Sequence, residues 1–215
     1  MDELDINRII HYKMYPRFER IIPDGEKKLN TPLEHLIHNR RSRRECSTVS
    51  LDLEKLHQIL IHSAGLTHDE FRAYPSAGAR YPLEIYLIVI DVELMEPGIY
   101  HYSPSDNSIE ILWLKDYSEK LASTIGRGVN DFVNDVRAVL IMTSIDNRTV
   151  IKYGEEGRDF PLIEAGYVGA NIVLLCEERG LNSVVIGTQW KKHEIAELID
   201  VDSDKERVVS AIAIL

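Results

Sequence analysis

Cysteine is scarce. Cys46 and Cys176 are the only two in 215 residues, too few for a disulfide framework and without metal-ligand spacing, so a reducing cytoplasm is the expected compartment. The eight histidines give no i, i+4 pair with a third acidic ligand, His35 and His38 being three apart and His57 and His62 five apart. No metal site is expected. Gly-x-Ser-x-Gly elbows, Walker loops and Gly-x-Gly-x-x-Gly fingerprints are all missing, which argues against elbow-type serine hydrolases, P-loop enzymes and dinucleotide-binding Rossmann proteins. The opening residues Met1-Asp2-Glu3-Leu4-Asp5 lack the basic charge of a secretory signal, and no apolar run is read as approaching the roughly 18 residues of a membrane span. Positive charge is also short, with 25 Lys plus Arg against 35 Asp plus Glu and a formal net charge of -10. Such a field repels nucleic acid and anionic membranes. Without repeats, low-complexity tracts or linkers, residues 31–215 read as a single α+β domain behind an irregular N-terminal arm, 1–30.

What is present is periodic. Leu33, Leu36 and Ile37 predict a short helix after Thr31, and Leu53, Leu56, Ile59 and Leu60 predict another, with Ser50 as N-cap and Gly65 closing it. β-Branched runs over Leu83–Ile90, Ala138–Ile145, Ser183–Ile186 and Val208–Ile214 predict strands, and Gly98–Tyr102 with Ser108–Leu114 predict a hairpin. A helix is expected over Ser118–Ile125. Another, from Pro161 to Gly180, is apolar almost all round and should be central and buried.

Four segments could carry chemistry. Arg40-Arg41-Ser42-Arg43-Arg44 reverses the local sign of an acidic chain and offers paired donors suited to a phosphate monoester, although a solvated or internally paired basic face has the same composition. Tyr74-Pro75-Ser76-Ala77-Gly78-Ala79-Arg80-Tyr81-Pro82 is a small-residue loop that lets backbone approach a flat ligand, or else a plain turn. Ile186-Gly187-Thr188-Gln189-Trp190 ends a strand where loops often carry function. Lys152-Tyr153 supplies two proton-transfer groups, or a surface pair.

Taken in order, these segments resemble the nitroreductase-like flavoproteins and, within them, the SagB-type (streptolysin-type, azoline-oxidase-like) dehydrogenases. Arg40-Arg41-Ser42-Arg43-Arg44, Pro75 through Tyr86, Lys152-Tyr153-Gly154, Glu164-Ala165-Gly166 with Asn171, and Gly180-Leu181 with Ile186-Gly187 carry the resemblance. It implies a mostly antiparallel central sheet flanked by helices and a homodimer holding FMN at its interface. By similarity Arg40, Arg41 and Ser42 grip the phosphate, and Arg44 points toward the ribityl chain and the pyrimidine edge. Pro75, Ser76, Ala77 and Gly78 line the ring from the partner, and the backbone of Ile186, Gly187 and Thr188 reaches the N5 edge. Lys152 and Tyr153 fall where the azoline dehydrogenases carry their proton-removing pair. The implied activity is hydride transfer at flavin N5 from a small or peptide-derived substrate. Two alternatives stand beside it, a reductase of nitroaromatics or quinones fed by NAD(P)H and a non-catalytic flavin-holding subunit.

Overall fold

The strand Leu83–Val89 (β3) is buried at five of its seven positions, as a run of leucine, isoleucine and valine must be when both its faces are covered. In the computed structural model, which describes residues 13, 15–22, 29–68, 70–125, 131–187 and 191–215, β3 lies inside a six-stranded sheet. Its companions are Gly98–Ser103 (β4), Ser108–Leu114 (β5), Ala138–Ser144 (β6), Ser183–Val185 (β7) and Arg207–Ile214 (β8), in the order β5-β4-β3-β6-β8-β7. Every pairing in this sheet is antiparallel.

Helices cover both faces. Leu53–Ala64 (α2) and Phe160–Glu178 (α5) press Leu56, Ile59, Val168 and Ile172 against Leu87, Leu140 and Ile212. On the opposite face Ser118–Ile125 (α3) and Lys192–Leu198 (α6) bring Leu121, Ile125 and Ile195 onto Ile88, Ile141 and Ala213. Alternate residues of each strand therefore enter different cores, the consequence of a period of two. Pro32–Asn39 (α1), a short antiparallel pair Leu66–His68 (β1) and Phe71–Arg72 (β2), and Asn147–Tyr153 (α4) complete the elements used below.

Several expectations need correction. Asp52, not Ser50, caps α2, its carboxylate accepting from the Lys55 amide at 2.7 Å. The cap lies later because Leu51 is buried in the core and the turn starts beyond it. Removing a capping oxygen typically costs about 1 kcal/mol, so Asp52→Ala should lower the unfolding free energy by that much, read in chemical denaturation as a lower midpoint with an unchanged slope. The helix α5 is neither wholly buried nor too short to matter. Its 19 residues are long and apolar enough to cross a membrane, yet Val168, Ile172 and Cys176 are packed into the sheet's core while Leu162, Ile163 and Tyr167 stay exposed. Of the arm, residues 13, 15–22, 29 and 30 are described, and none of them is in a helix or strand.

Candidate active site

Thr31 starts α1 with a complete capping box, its hydroxyl accepting from the Glu34 amide while the Glu34 carboxylate accepts from the Thr31 amide at 2.7 Å. The helix ends at Arg40, whose amide donates to Leu36 O. An extended strap, residues 40–49, follows. Its backbone is tied down at Arg43, whose N–H donates to Ser183 O on β7 at 3.2 Å. Ser47 donates through Oγ to Leu215 O at 2.6 Å, and the Arg137 guanidinium donates to Val49 O and Ser47 O at 2.6 and 3.0 Å.

The five-residue basic cluster divides on this strap. Arg40 and Ser42 line a cleft of about 390 Å³ whose other walls are the small-residue face of α5 (Ala165, Gly166, Gly169) and the adjoining ends of β7 and β8. Arg43 turns inward and holds Glu177 of α5 with both terminal nitrogens. Arg41 folds back, donating to His38 O and Arg40 O at 2.7 and 2.8 Å. Arg44 is exposed. The internally paired alternative thus describes Arg43, and the anion-binding alternative fits Arg40 and Ser42.

The proline-flanked loop is held from below. Glu164 is 2 % exposed in the first half of α5. Its Oε1 accepts from Ser76 Oγ at 2.9 Å and from the Ala77 amide at 3.1 Å, and Ser76 Oγ in turn accepts from the Tyr81 amide at 2.8 Å. Glu164 Oε2 is buried with no partner among the described residues. Burial pushes this carboxyl above the ordinary glutamate range, only partly opposed by the Ser76 and Ala77 donors and by the charge of Arg72. Sequence reasoning gave Glu164 no role of its own. A lone acid between Ile163 and Ala165 in an apolar helix was the available signal, because such a group is buried only where donors await it.

Above the loop, Gly78 adopts φ +59°, and a Cβ built there would lie 2.5 Å from both Lys152 Nζ and Tyr153 Oη. The two groups therefore converge on the Gly78 α-carbon, a juxtaposition that only glycine permits. The Lys152 ammonium also sits 5.3 Å from the centre of the Tyr153 ring, which packs edge-on against Phe160. Ile186 is buried, its amide bonded to Ala211 O, and Gly187 beside it is exposed. Thr188 lies outside the described residues. No cluster of three metal-ligating side chains occurs among the described residues.

Two groupings result, Arg40 with Ser42 in the cleft and Ser76–Gly78 with Lys152 and Tyr153. None of residues 75–78, 152 or 153 lines the cleft. A cleft of this size with a cationic rim and a small-residue floor suits a phosphorylated planar molecule. At Gly166 an added Cβ would meet nothing within 4 Å, so the floor is open to such a group.

Fold and site together define an α+β domain, a mostly antiparallel sheet between helices, with a cleft suited to a phosphorylated planar group. Residues 37–214 match the sequence model of the nitroreductase family. A Methanocaldococcus jannaschii protein, MJ1384, described as a nitroreductase, is 34 % identical over 181 residues, covering 84 % of this chain and 88 % of that one. The microcin B17-processing protein McbC of Escherichia coli is 28 % identical over 118 residues, covering 53 % of this chain and 43 % of McbC. Among solved structures, the E. coli microcin synthetase McbBCD complex with truncated pro-MccB17 superposes with a TM-score of 0.69 at 20 % identity, over 97 % of this chain and 84 % of that one. A nitroreductase of Desulfovibrio desulfuricans in complex with FMN gives 0.59 at 16 % identity, over 86 % of each chain. The chain belongs to the nitroreductase family, and by that membership it is an FMN-dependent oxidoreductase.

Proposed function

We propose that the chain is a homodimeric SagB-type dehydrogenase that withdraws a hydride and a proton from a small or peptide-derived substrate such as an azoline. The convergence of Lys152 Nζ and Tyr153 Oη on Gly78 carries this reading, because it sets a proton-handling pair against the loop that similarity gives to the flavin ring. When bound, FMN supplies a two-electron acceptor at N5. The chain's own residues do the rest. Arg40 and Ser42 hold the phosphate in the cleft, with Arg41 and Arg44 joining by side-chain rotation. The backbone at Ile186 and Gly187 borders the reactive edge. Lys152 takes the substrate proton as general base and Tyr153 orients it.

The dimer accounts for two features at once. One chain keeps its Pro75–Gly78 loop out of its own cleft, so a partner's loop can cover that cleft. Leu33 and Ile37 on α1, Leu162, Ile163 and Tyr167 on α5, and Val185 on β7 are exposed by 44 to 58 %, apolar surface of the kind that association buries. The free thiols Cys46 and Cys176 suit action in the cytoplasm. The MJ1384 likeness favours a second reading, NAD(P)H-dependent reduction of nitroaromatics or quinones.

Purified protein should be yellow, release about one FMN per chain on denaturation and sediment as a dimer. Arg40→Ala should weaken FMN binding at least tenfold, the loss of one charge-assisted phosphate contact. A colourless protein that takes up no FMN would sink the proposal. Rapid NAD(P)H oxidation with quinone would favour the reductase over the dehydrogenase.

A further inference from the structure

A second pocket is lined in part by Arg80 and Tyr81 at the end of the proline-flanked loop and shares no lining residue with the Arg40 cleft. It has a volume of about 550 Å³ and is lined by Arg72, Arg80, Arg148, Tyr81, His101 and Glu84, with Glu70 at its rim. Three guanidinium groups meeting two carboxylates is a local excess of positive charge in a chain of net charge -10.

The cations are unequally occupied. Arg148 is paired with Glu84 at 2.5 Å and donates to Tyr81 O at 3.0 Å. Glu84 is shared with His101 at 3.2 Å, and His101 is bonded on its other side to Glu110 at 2.7 Å. Burial alone would lower the His101 pKa, but these two carboxylates outweigh it and raise it, adding positive character near neutrality. Arg72 lies over the Tyr81 ring at 5.0 Å and donates to Leu83 O at 3.4 Å. Arg80 donates through Nε to Arg148 O at 2.7 Å, which leaves both its terminal nitrogens free of protein partners among the described residues. Neither Arg72 nor Arg80 forms an ion pair among the described residues.

The backbone holds Arg80 in place against its own preferences. Gly78, Ala79 and Tyr81 have φ of +59°, +53° and +45°, so the two non-glycine neighbours of Arg80 both lie in the left-handed region that side chains disfavour. Strain of this kind persists where surrounding contacts enforce it, and it clusters at ligand sites. Here the enforcing contacts are the reciprocal bonds between the Arg80–Tyr81 segment and Arg148, together with the Tyr81 amide on Ser76 Oγ.

We propose that this pocket is an oxyanion subsite that receives the carboxylate or phosphate end of the substrate, with the free face of the Arg80 guanidinium as its principal donor and Arg72 as the second. Guanidinium forks match planar carboxylates and phosphates in a way that a lone ammonium does not. The Arg148 carbonyl that accepts from Arg80 Nε belongs to α4, four residues or about one helical turn before Lys152, so the subsite adjoins the helix that carries the group proposed to deprotonate the reacting atom. The link to that reacting atom rests on the function proposed above, whereas anion binding by the pocket does not.

The test is calorimetric titration of the full chain, saturated with FMN so that the Arg40 cleft is filled, with orthophosphate and separately with acetate. The expected result is saturable binding of at least one anion, weakened tenfold or more in both Arg80→Ala and Arg72→Gln, with Arg80→Lys in between. The tighter anion identifies the source, a phosphate ester or a carboxylic acid. No saturable binding of either anion to the wild-type protein overturns the proposal, as does binding that both variants leave unchanged. Failure of FMN to bind, read from its absorbance shift, would refute the flavoenzyme reading while the anion titration still judges the pocket.

Discussion

Lys152→Ala should lower dehydrogenation at least a hundredfold while leaving FMN content and the melting temperature near those of the wild type. A positioned general base typically contributes 10² to 10⁴, and Lys152 is exposed on α4 with no buried partner, so its truncation removes little packing. Its ammonium approaches Gly78 from outside the core. Tyr153→Phe should cost less, since it keeps the ring against Phe160 and deletes only the hydroxyl. The measurement is single-turnover reduction of the bound flavin by substrate under anaerobic conditions. The same variant assayed as an NAD(P)H:quinone reductase should retain nearly full activity, because hydride delivery from a nicotinamide needs no protein base. A hundredfold loss confined to the dehydrogenation would assign Lys152 to proton removal. Equal rates in both assays would return Lys152 and Tyr153 to a structural role.

Glu164→Ala should be the most destabilising single change near the site, by about 2–4 kcal/mol, and should loosen the Pro75–Gly78 loop. Two donors, Ser76 Oγ and the Ala77 amide, would lose their acceptor, and each buried unsatisfied group costs about 1–3 kcal/mol. Glu164→Gln keeps that acceptor and should cost far less. A pH profile separates charge from shape. The folded-state pKa of Glu164 is raised by burial, so in the window between the unfolded value, about 4.3, and the folded one the native state binds more protons than the unfolded chain. Its contribution to stability is then complete below the unfolded value and falls as pH rises through the folded value. Denaturant melts of wild type and Glu164→Gln across this window should converge at its lower end and separate as pH rises. Parallel profiles would show that folding leaves the Glu164 pKa where it is in the unfolded chain.

The strands were readable because their side chains leave few alternatives. Leu83–Val89 and Ala138–Ser144 are rich in β-branched and other apolar residues, the second buried throughout and the first at all but Glu84 and Tyr86, so local propensity and tertiary burial agree. The small elements were not readable. The helix α4 has seven mostly polar residues and no capping side chain, and the β1–β2 pair is three residues against two, too short for a period to show. Long-range pairing was equally hidden. Composition gave four equivalent arginines, and only the fold distinguishes Arg43, bound to a glutamate 134 residues away, from Arg40 at the cleft. Order along the chain placed the loop and the Lys-Tyr pair in one site; their meeting at a glycine depends on α4 following β6 back to the start of β3.

The strap between α1 and α2 has no internal ladder, and it borrows its order from the sheet edge. Its Arg43 amide is spent on Ser183 of β7, a three-residue strand with a single neighbour. Edge strands of that length open at low free energy and expose their hydrogen-bonding groups to exchange. Breathing of β7 would therefore slacken the strap and, with it, whatever Arg40 and Ser42 are holding. With FMN held as proposed above, cofactor residence time becomes a property of the sheet's weakest margin, and deuterium uptake at Arg43 should track the rate at which FMN leaves.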